Sequence, residues 1–338
     1  MSSETTGRQD NILLGIVVII LTVFAMSTAD AVIKYASAAF TLWQIYVLRS
    51  LIVLPLLAGI MAFGPRQVLA RDKISGWPFL RGLMLAVMYI GIYAAIPMLS
   101  LATIAASLYT APLFIALFSQ LLAGEKVGLA RWAAVVLGFL GVLTILRPGT
   151  DGFSYLALIP VVAALLYALA AIVTRTKCAD APPAVLAFSL NLALLAVGAV
   201  ATALLAIWRP AQAVMSFYPF LFGHWMAMGP QEYGVIAILA GLMLAISLGL
   251  AKAYQSAPPA VIATFDYSYL PFSVFWGVIL FADMPDVPTV AGMLMIAAAG
   301  FLVIREENRL GRATVRPGSQ APRNGLDDAR SDRWKIGA

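Results

Sequence analysis

The chain has 338 residues, of which 62% are hydrophobic and 11% are charged, and its formal net charge is +6. Soluble domains carry about 25% charged residues, so this composition excludes a chain solvated only by water and predicts one that lies largely in lipid. The net charge is too small to indicate a nucleic-acid partner. The presence of one cysteine and one histidine excludes an internal disulfide and a His/Cys metal cluster.

Ten apolar segments follow one another along the chain, and each is long enough to cross a bilayer as a helix. They cover residues 12–36, 41–63, 79–100, 102–123, 130–147, 154–175, 183–207, 232–254, 260–282 and 288–304. Because lipid offers no hydrogen-bond partners, the backbone of each segment must be paired internally. The chain is therefore predicted to be an all-α polytopic membrane protein with ten transmembrane helices.

Both ends of the chain are polar. Residues 1–11 are predicted to be a cytoplasmic segment that precedes a retained first helix, since no small-residue cleavage site follows the first apolar segment. Residues 305–338 are rich in Arg, Gly, Pro and Asp and are predicted to form a basic, disordered cytoplasmic tail. A regulatory or lipid-binding role for this tail stays open.

Lysine and arginine residues are concentrated in alternate links between the apolar segments, and this asymmetry sets the orientation of a membrane protein. The opposite links carry only Arg147 and Arg209, and the last of them adds Asp283 and Asp286. Both termini are therefore predicted to be cytoplasmic, with the protein in the inner membrane. Such a topology requires an even number of helices.

An internal repeat divides the chain into two halves. Gly82–Ala86 recurs as Gly241–Ala245 at an offset of 159 residues. The same offset relates two further pairs, which are Pro112 with Pro271 and Gly141 with Gly300. Because each half contains an odd number of helices, the second half must enter the membrane upside down. Residues 12–147 and 154–304 are thus predicted to form two inverted five-helix repeats, an architecture of secondary transporters.

Two stretches carry a family signature. In the first half the signature is Ala105–Pro112 followed by Leu121–Lys126, and in the second half it is Ala260–Pro271 followed by Ile279–Asp283. These stretches resemble the EamA family of the drug/metabolite transporter superfamily, although the usual Gly-Glu at the end of the second copy is here Ala-Asp. The resemblance implies ten helices as two inverted repeats around a central cavity. It also implies transport of a small metabolite.

Five charged residues lie inside the apolar segments, where each is costly unless it is paired or faces water. They are Asp30, Lys34, Arg49, Lys252 and Asp266. We interpret Asp30, Arg49 and Asp266 as substrate-binding residues, and Lys34 and Lys252 as gate or ion-pair residues. Their depths in the membrane predict an outer cluster of Asp30, Lys34 and Arg49. The same argument predicts an inner cluster of Lys252 and Asp266. Static ion pairs and snorkelling lysines are the alternative.

Tyrosines accompany these charges, and each offers a flat ring with one hydroxyl, which suits a planar solute. We interpret five of them as substrate-binding residues, namely Tyr89, Tyr93, Tyr109, Tyr267 and Tyr269. Tyrosines near the ends of membrane helices also serve as interfacial anchors. That interpretation is favoured for Tyr46 and Tyr254.

Other features have a structural and a functional interpretation. Pro112 and Pro271 are predicted to kink their helices, either for transport or for packing alone. Glu125 and Asp283 are predicted to be topological or loop-capping residues at the ends of two helices, with coupling-ion binding as the alternative. The aromatic-rich link 208–231 is predicted to lie at the membrane interface, with a lid over the cavity as the alternative.

Together these features predict a secondary active transporter that moves a small organic metabolite by alternating access, driven by a proton or other gradient. A nucleoside-like or vitamin solute is preferred, because of the tyrosines and a likeness to family members that import S-adenosylmethionine or riboflavin. Amino-acid or drug export is the alternative within the fold. A membrane-embedded enzyme, a flippase or a channel are alternatives of other classes. The absence of a P-loop motif argues against an ATP-driven pump. The expected partners are a small-molecule substrate and the bilayer, with no cofactor, for a monomer or homodimer.

Overall fold

A computed structural model describes the chain in residues 12–63, 76–111, 114–115, 117–118, 129–147, 154–178, 181–256 and 265–314. Within these ranges the ordered elements are helices, and no strand occurs in them. The helices are α1 (Ile12–Ala36), α2 (Leu42–Phe63), α3 (Trp77–Ala95), α4 (Leu101–Leu108), α5 (Leu129–Leu146), α6 (Leu158–Lys177), α7 (Pro183–Trp208), α8 (Gln212–Phe217), α9 (Pro219–Phe222), α10 (Pro230–Ser256), α11 (Tyr269–Phe281) and α12 (Val287–Thr314).

Eight of the ten apolar segments form one helix each, close to the predicted bounds, and the short helices α8 and α9 lie in the link 208–231. Six helices of the described part are long and apolar enough to cross a membrane. Three shorter apolar helices accompany them, at Trp132–Leu146, Tyr269–Phe281 and Val287–Leu302. Large apolar side chains such as Leu21, Val200 and Leu294 are exposed on the outside of the bundle, where lipid would cover them. The chain is a multi-pass membrane protein.

The fourth apolar segment is interrupted, whereas the sequence predicted a continuous helix over 102–123. Ser100 caps the start of α4 by accepting a hydrogen bond from the backbone N–H of Thr103, at 3.1 Å. The helix ends at Leu108, and Tyr109 and Thr110 form a turn. Hydropathy does not detect such a break, because the residues on both sides of it are equally apolar.

The ninth apolar segment, predicted as a helix over 260–282, is interrupted at the corresponding place. Phe265 and Asp266 are helical, Tyr267 and Ser268 form a turn, and α11 begins at Tyr269. The offset of 159 residues carries Tyr109 onto Ser268, so the two breaks occupy equivalent positions in the two halves.

The predicted proline kinks have different outcomes. The sequence predicted that Pro271 lies in the interior of a helix and kinks it. Pro271 is instead the third residue of α11 and lies in its first turn. A proline there removes no intrahelical hydrogen bond, and the break in the segment precedes it. Pro112 lies outside the described residues, as does Glu125.

The last helix is longer than the sequence predicted. It was expected to end at residue 304, before a disordered tail, but α12 continues to Thr314. Hydropathy locates the end of an apolar run, whereas charged residues with good helix propensity, such as those of the Arg-Glu-Glu stretch after residue 304, extend the helix beyond it. The prediction that the whole of residues 305–338 is disordered is therefore wrong for residues 305–314, which belong to α12.

The link between α7 and α10 is tied to the start of α2. The indole nitrogen of Trp43 donates to the backbone oxygen of Leu221 at 2.7 Å. Gln44 exchanges two hydrogen bonds with the backbone of Met226, at 3.0 and 3.1 Å. Phe220 is buried in this contact, whereas Phe217 is exposed. The link thus lies against the end of the bundle where α2 begins.

Helices of the first half pack mainly against helices of the second half. α1 lies against α10 and α11, α2 against α7 and α10, α3 against α6 and α7, α4 against α6 and α11, and α5 against α12. At the last of these contacts, a Cβ on Gly141 would lie 2.8 Å from the backbone oxygen of Gly292. Such close backbone contact needs small residues, which are common where membrane helices cross.

Candidate functional site

The predicted substrate-binding tyrosines come together in two groups of rings. In the first group, Tyr89 and Tyr93 on α3 stack with ring centroids 5.4 Å apart, and Tyr46 on α2 lies 6.3 Å from Tyr93. Tyr46 is fully buried, so it is no interfacial anchor, which was the favoured interpretation. The hydroxyl of Tyr46 has no hydrogen-bond partner among the described residues.

The second group of rings lies at the two helix breaks. The ring of Tyr109 is 5.1 Å from that of Tyr267 and 5.8 Å from that of Tyr269. The Tyr109 hydroxyl donates to the backbone oxygen of Asp266 at 2.7 Å and approaches its carboxylate at 3.4 Å. The breaks of the two halves therefore contact each other directly.

Asp30 connects the two groups of rings, which we call together the tyrosine cluster (Tyr46, Tyr89, Tyr93, Tyr109, Tyr267 and Tyr269). The Tyr269 hydroxyl donates to Oδ2 of Asp30. Tyr93 and the Arg49 guanidinium lie within range for electrostatic interaction with the same carboxylate. Asp30 and Arg49 both lie about two helical turns, roughly 10 Å, from the end of the bundle where α1 ends and α2 begins.

Arg49 is a buried cation whose Nε donor is not used by its described neighbours. Its exposed fraction is 3%, and its Cζ lies 5.8 Å from the centroid of the Tyr46 ring. Nε of Arg49 and the neighbouring Ser50 Oγ have no hydrogen-bond partner among the residues that the structure describes. A buried donor without an acceptor costs about 1–3 kcal/mol, so an acceptor from a bound molecule is chemically favoured here.

The sequence predicted an outer cluster of Asp30, Lys34 and Arg49, but Lys34 does not join the other two residues. Its Nζ lies 2.8 Å from Oδ2 of Asp283, donates to the backbone oxygen of Leu99 at 2.9 Å, and lies 4.6 Å from the Phe281 ring centroid. These contacts join α1 to the turn before α4 and to the link between α11 and α12. Sequence spacing favours a partner four residues away, whereas the fold brings an ion-pair partner from the other half.

Asp283 follows the end of α11, and its backbone takes part in the helix end, whereas its side chain does not cap the helix. Ala282 adopts a left-handed conformation with φ of 53°, and the backbone N–H of Asp283 donates to Gly277 at 3.0 Å. This geometry directs the chain away from the helix and leaves the Asp283 side chain available to Lys34. The acid is therefore both a part of the helix end and one partner of an ion pair.

A second ion pair joins Arg147, which follows the end of α5, to Asp286 on the link between α11 and α12. Asp286 also accepts a hydrogen bond from the backbone N–H of Thr289 at 3.1 Å, which caps the start of α12. The Arg147 hydrogen bond, with the Thr289 contact, lowers the pKa of Asp286 to about 2. Sequence reasoning used these two charges only for topology, although the spacing of Asp286 and Thr289 is typical of a helix start.

The predicted inner cluster does not form among the described contacts. Lys252 is exposed, and the hydrogen bonds and ion pairs of the described residues include none between Lys252 and Asp266. The side chain of Tyr254 lies outside the described residues. No group of three or more His, Cys, Asp or Glu side chains that could hold a metal occurs within the described ranges.

The helical bundle and the polar, aromatic contact between its halves define a multi-pass membrane protein with a candidate solute site. The model of the EamA-like transporter family matches residues 13–147. The chain is 30% identical over 286 residues to a riboflavin transporter of Vibrio cholerae, covering 81% of this chain and 86% of the relative. The chain therefore belongs to the EamA-like transporter family, in the drug/metabolite transporter superfamily.

Other relatives carry different names. The chain is 26% identical over 289 residues to the pseudopaline exporter CntI of Pseudomonas aeruginosa, covering 84% of this chain and 94% of the relative. It is 23% identical over 201 residues to an S-adenosylmethionine uptake transporter of Rickettsia prowazekii, covering 60% and 62%. A solved crystal structure matches with a TM-score of 0.57 at 19% identity, covering 88% of this chain and 98% of that one, and supports the fold alone. The protein is thus a transporter of small molecules.

Proposed function

We propose that the protein is a secondary active transporter that moves a planar, vitamin-like solute across the inner membrane by alternating access. The observation that carries this proposal is the tyrosine cluster, in which rings from both halves lie beside Asp30 and Asp266, next to a cation with an unused donor. Sites for small molecules combine aromatic walls with a few polar groups. The relatives named riboflavin transporters support the choice of solute.

The contacts between helices support an arrangement of two inverted five-helix repeats. Let α1, α2, α3, α4 and α5 correspond to α6, α7, α10, α11 and α12 in chain order. The contact of α1 with α10 then corresponds to that of α3 with α6, and the contact of α2 with α10 to that of α3 with α7. The contacts α2 with α7, α4 with α11 and α5 with α12 correspond to themselves. A two-fold relation between the halves produces such pairs.

The broken helices provide a route for alternating access. Discontinuous helices at the interface of inverted repeats form the solute site in many secondary transporters. Here both breaks contribute rings to the tyrosine cluster, and Tyr109 of one break donates to Asp266 of the other. Rocking of one half against the other would change these contacts first.

A proton gradient is the proposed driving force, with Asp30 or Asp266 as its carrier. Each carboxylate lies at a contact between the halves and is approached by a tyrosine hydroxyl of the opposite half. A change in the protonation of either group would therefore change the contact between the halves. Flux into proteoliposomes with and without a pH gradient tests this coupling, and equal rates would contradict it.

The orientation with both termini in the cytoplasm also stays a proposal. In this orientation the end of the bundle that carries Lys34 and Asp283 faces the periplasm. Alkaline phosphatase fused after Leu310 is expected to be inactive, because the enzyme folds only after export. High activity of this fusion would reverse the orientation.

Uptake of labelled riboflavin by proteoliposomes that contain the purified protein tests the proposed solute. We expect saturable uptake that empty liposomes lack, and competition by unlabelled riboflavin. The Tyr233→Phe variant is a matched control, since Tyr233 is 60% exposed and remote from the tyrosine cluster in the described contacts. Uptake of amino acids without binding of riboflavin would overturn the solute and leave the transporter assignment intact.

A second candidate is the export of a zwitterionic metabolite. The observation that favours it is that Asp30 and Arg49 carry opposite charges and are not paired with each other within the ion-pair distance. The relative named a pseudopaline exporter supports the same alternative. Counterflow with labelled zwitterionic amino acids distinguishes it from riboflavin transport.

A further inference from the structure

We propose that Asp30 and Arg49 form hydrogen bonds with one edge of the solute, and that this edge is the imide of a planar heterocycle. Arg49 would donate to the carbonyl oxygens of the edge, and Asp30 would accept a hydrogen bond from the ring N–H between them. This inference rests on the proposed function, whose solute class it makes specific. A buried donor group, Arg49, and a partly buried acceptor group, Asp30, lie beside rings of the same tyrosine cluster.

The donor group is Arg49. A guanidinium has five N–H donors in a rigid planar arrangement, and the Nε donor of Arg49 has no acceptor among the described residues. Its Cζ lies 5.8 Å from the Tyr46 ring centroid, so the group is held beside an aromatic wall. An unused donor on a side chain that is 3% exposed favours a ligand with carbonyl or other acceptor atoms.

The acceptor group is Asp30. Tyr269 donates to its Oδ2, but a carboxylate has acceptor sites for about four hydrogen bonds, so capacity remains for a ligand donor. The ion pairs within the described part of the chain join other residues, Lys34 with Asp283 and Arg147 with Asp286. Asp30 and Arg49 therefore form no ion pair with each other, and hydrogen-bonding capacity of both remains for a ligand.

An imide edge matches this pair of groups. Its atoms present an acceptor, a donor and an acceptor in one plane, as in the pyrimidine ring of a flavin, and its ring faces can stack on tyrosines. The stacked pair Tyr89–Tyr93, with an interplanar angle of 21°, offers such a face next to Asp30. A zwitterionic amino acid satisfies the two charges but leaves the aromatic walls without a flat partner.

The same arrangement disfavours phosphorylated solutes. Asp30 and Asp266 both lie at the tyrosine cluster, and either carboxylate in its ionised form repels a phosphate. Riboflavin is neutral, whereas its 5′-phosphate carries negative charge on an otherwise identical molecule. We therefore expect the protein to bind riboflavin and to discriminate against riboflavin 5′-phosphate.

The test compares riboflavin with 3-methylriboflavin, in which a methyl group replaces the imide N–H and both carbonyls remain. Binding to the wild-type protein is expected to weaken at least about tenfold, as for loss of a hydrogen bond to a charged group. In Asp30→Asn the difference between the two compounds is expected to shrink, because the acceptor has changed. Arg49→Lys is expected to weaken both compounds by a similar factor, whereas the exposed Arg209→Lys control changes neither.

Each outcome decides between the two proposals. Equal binding of riboflavin and 3-methylriboflavin by the wild-type protein overturns the imide inference and leaves riboflavin transport standing. A tenfold difference that persists in Asp30→Asn also overturns the role of Asp30. Absence of riboflavin binding overturns the proposed solute together with this inference. The wild-type comparison needs no variant, so misfolding of Asp30→Asn does not prevent the decision.

Discussion

Two regions of the molecule treat their charged groups in opposite ways. On the link between α11 and α12, Asp283 and Asp286 each form an ion pair with a cation of the first half. About two helical turns deeper, Arg49 and the Tyr46 hydroxyl are buried and have donors without acceptors in the described part of the chain. The first region uses its charges to join helices, whereas the second keeps them available.

This difference indicates that the ion pairs of the link stabilise the fold, whereas the buried groups of the tyrosine cluster serve transport. Partly buried ion pairs between distant segments hold those segments together, and removal of one partner leaves the other without compensation. Unused donors contribute nothing to folding and cost free energy, so a stability cost persists at functional sites where a ligand provides the missing acceptor. Variants of the linking region should therefore lose stability first, and variants of the tyrosine cluster should lose transport first.

The largest effect is expected for Arg49→Met. This change removes the donors and keeps an apolar chain of similar length, so we expect transport to fall at least about tenfold, as for loss of a hydrogen bond to a charged group. Stability is expected to stay equal or to rise, because no described hydrogen bond or ion pair is lost and an unsatisfied buried donor is removed. Arg209→Met is the exposed control. Thermal unfolding in detergent and flux assays measure both, and a clear loss of stability in Arg49→Met would break the comparison.

The ion pair of Lys34 with Asp283 is expected to show the reverse behaviour. Side-chain exposures of 13% and 35% place the pair between buried and surface cases, so Asp283→Asn should cost about 1–3 kcal/mol of stability. Lys34→Met combined with Asp283→Asn should cost less than the sum of the single changes, because the double variant leaves no lone charge. Additive losses in chemical unfolding would show that the two residues are not coupled.

A smaller effect is expected for Tyr109→Phe. The change removes the hydroxyl that donates to Asp266 at 2.7 Å, which should cost about 0.5–1.5 kcal/mol. Because this bond joins the two helix breaks, transport should fall by a few-fold while the ring contacts with Tyr267 and Tyr269 remain. Tyr233→Phe serves as the control at an exposed position. Unchanged transport in Tyr109→Phe would show that the bond between the breaks is not needed.

The smallest effect is expected from the pH dependence of Asp286. Arg147 lowers its pKa from 3.8 to about 2, so the stabilisation is complete above the ordinary value and is lost as pH falls through about 2. Between pH 5 and 8, roughly, this group should contribute no pH dependence to stability. Asp286→Asn keeps a residue that caps helices and removes the charge, with an expected loss below about 1 kcal/mol at neutral pH. A large loss that persists at acidic pH would contradict this account.

Much of the helical framework was predictable, because each apolar segment is long enough to satisfy its own backbone in lipid. The breaks at Tyr109 and at Tyr267 were not, because both occur inside uniformly apolar segments where hydropathy has no contrast. The tyrosines and Asp30 were predicted as candidates for a different reason: polar groups are rare in such segments, so their positions alone single them out. Which of them contact each other was beyond that argument.

The sequence by itself determined that the chain is a multi-pass helical membrane protein of the EamA type, since composition, segment length and a repeated signature are local properties. Tertiary structure alone decided the partners of the charges. Lys34 pairs with Asp283, 249 residues away, and not with its helix neighbour Asp30, and Asp30 accepts instead from Tyr269. A side chain in an apolar bundle takes the best partner that packing brings within reach, and packing between distant segments has no signature in local spacing.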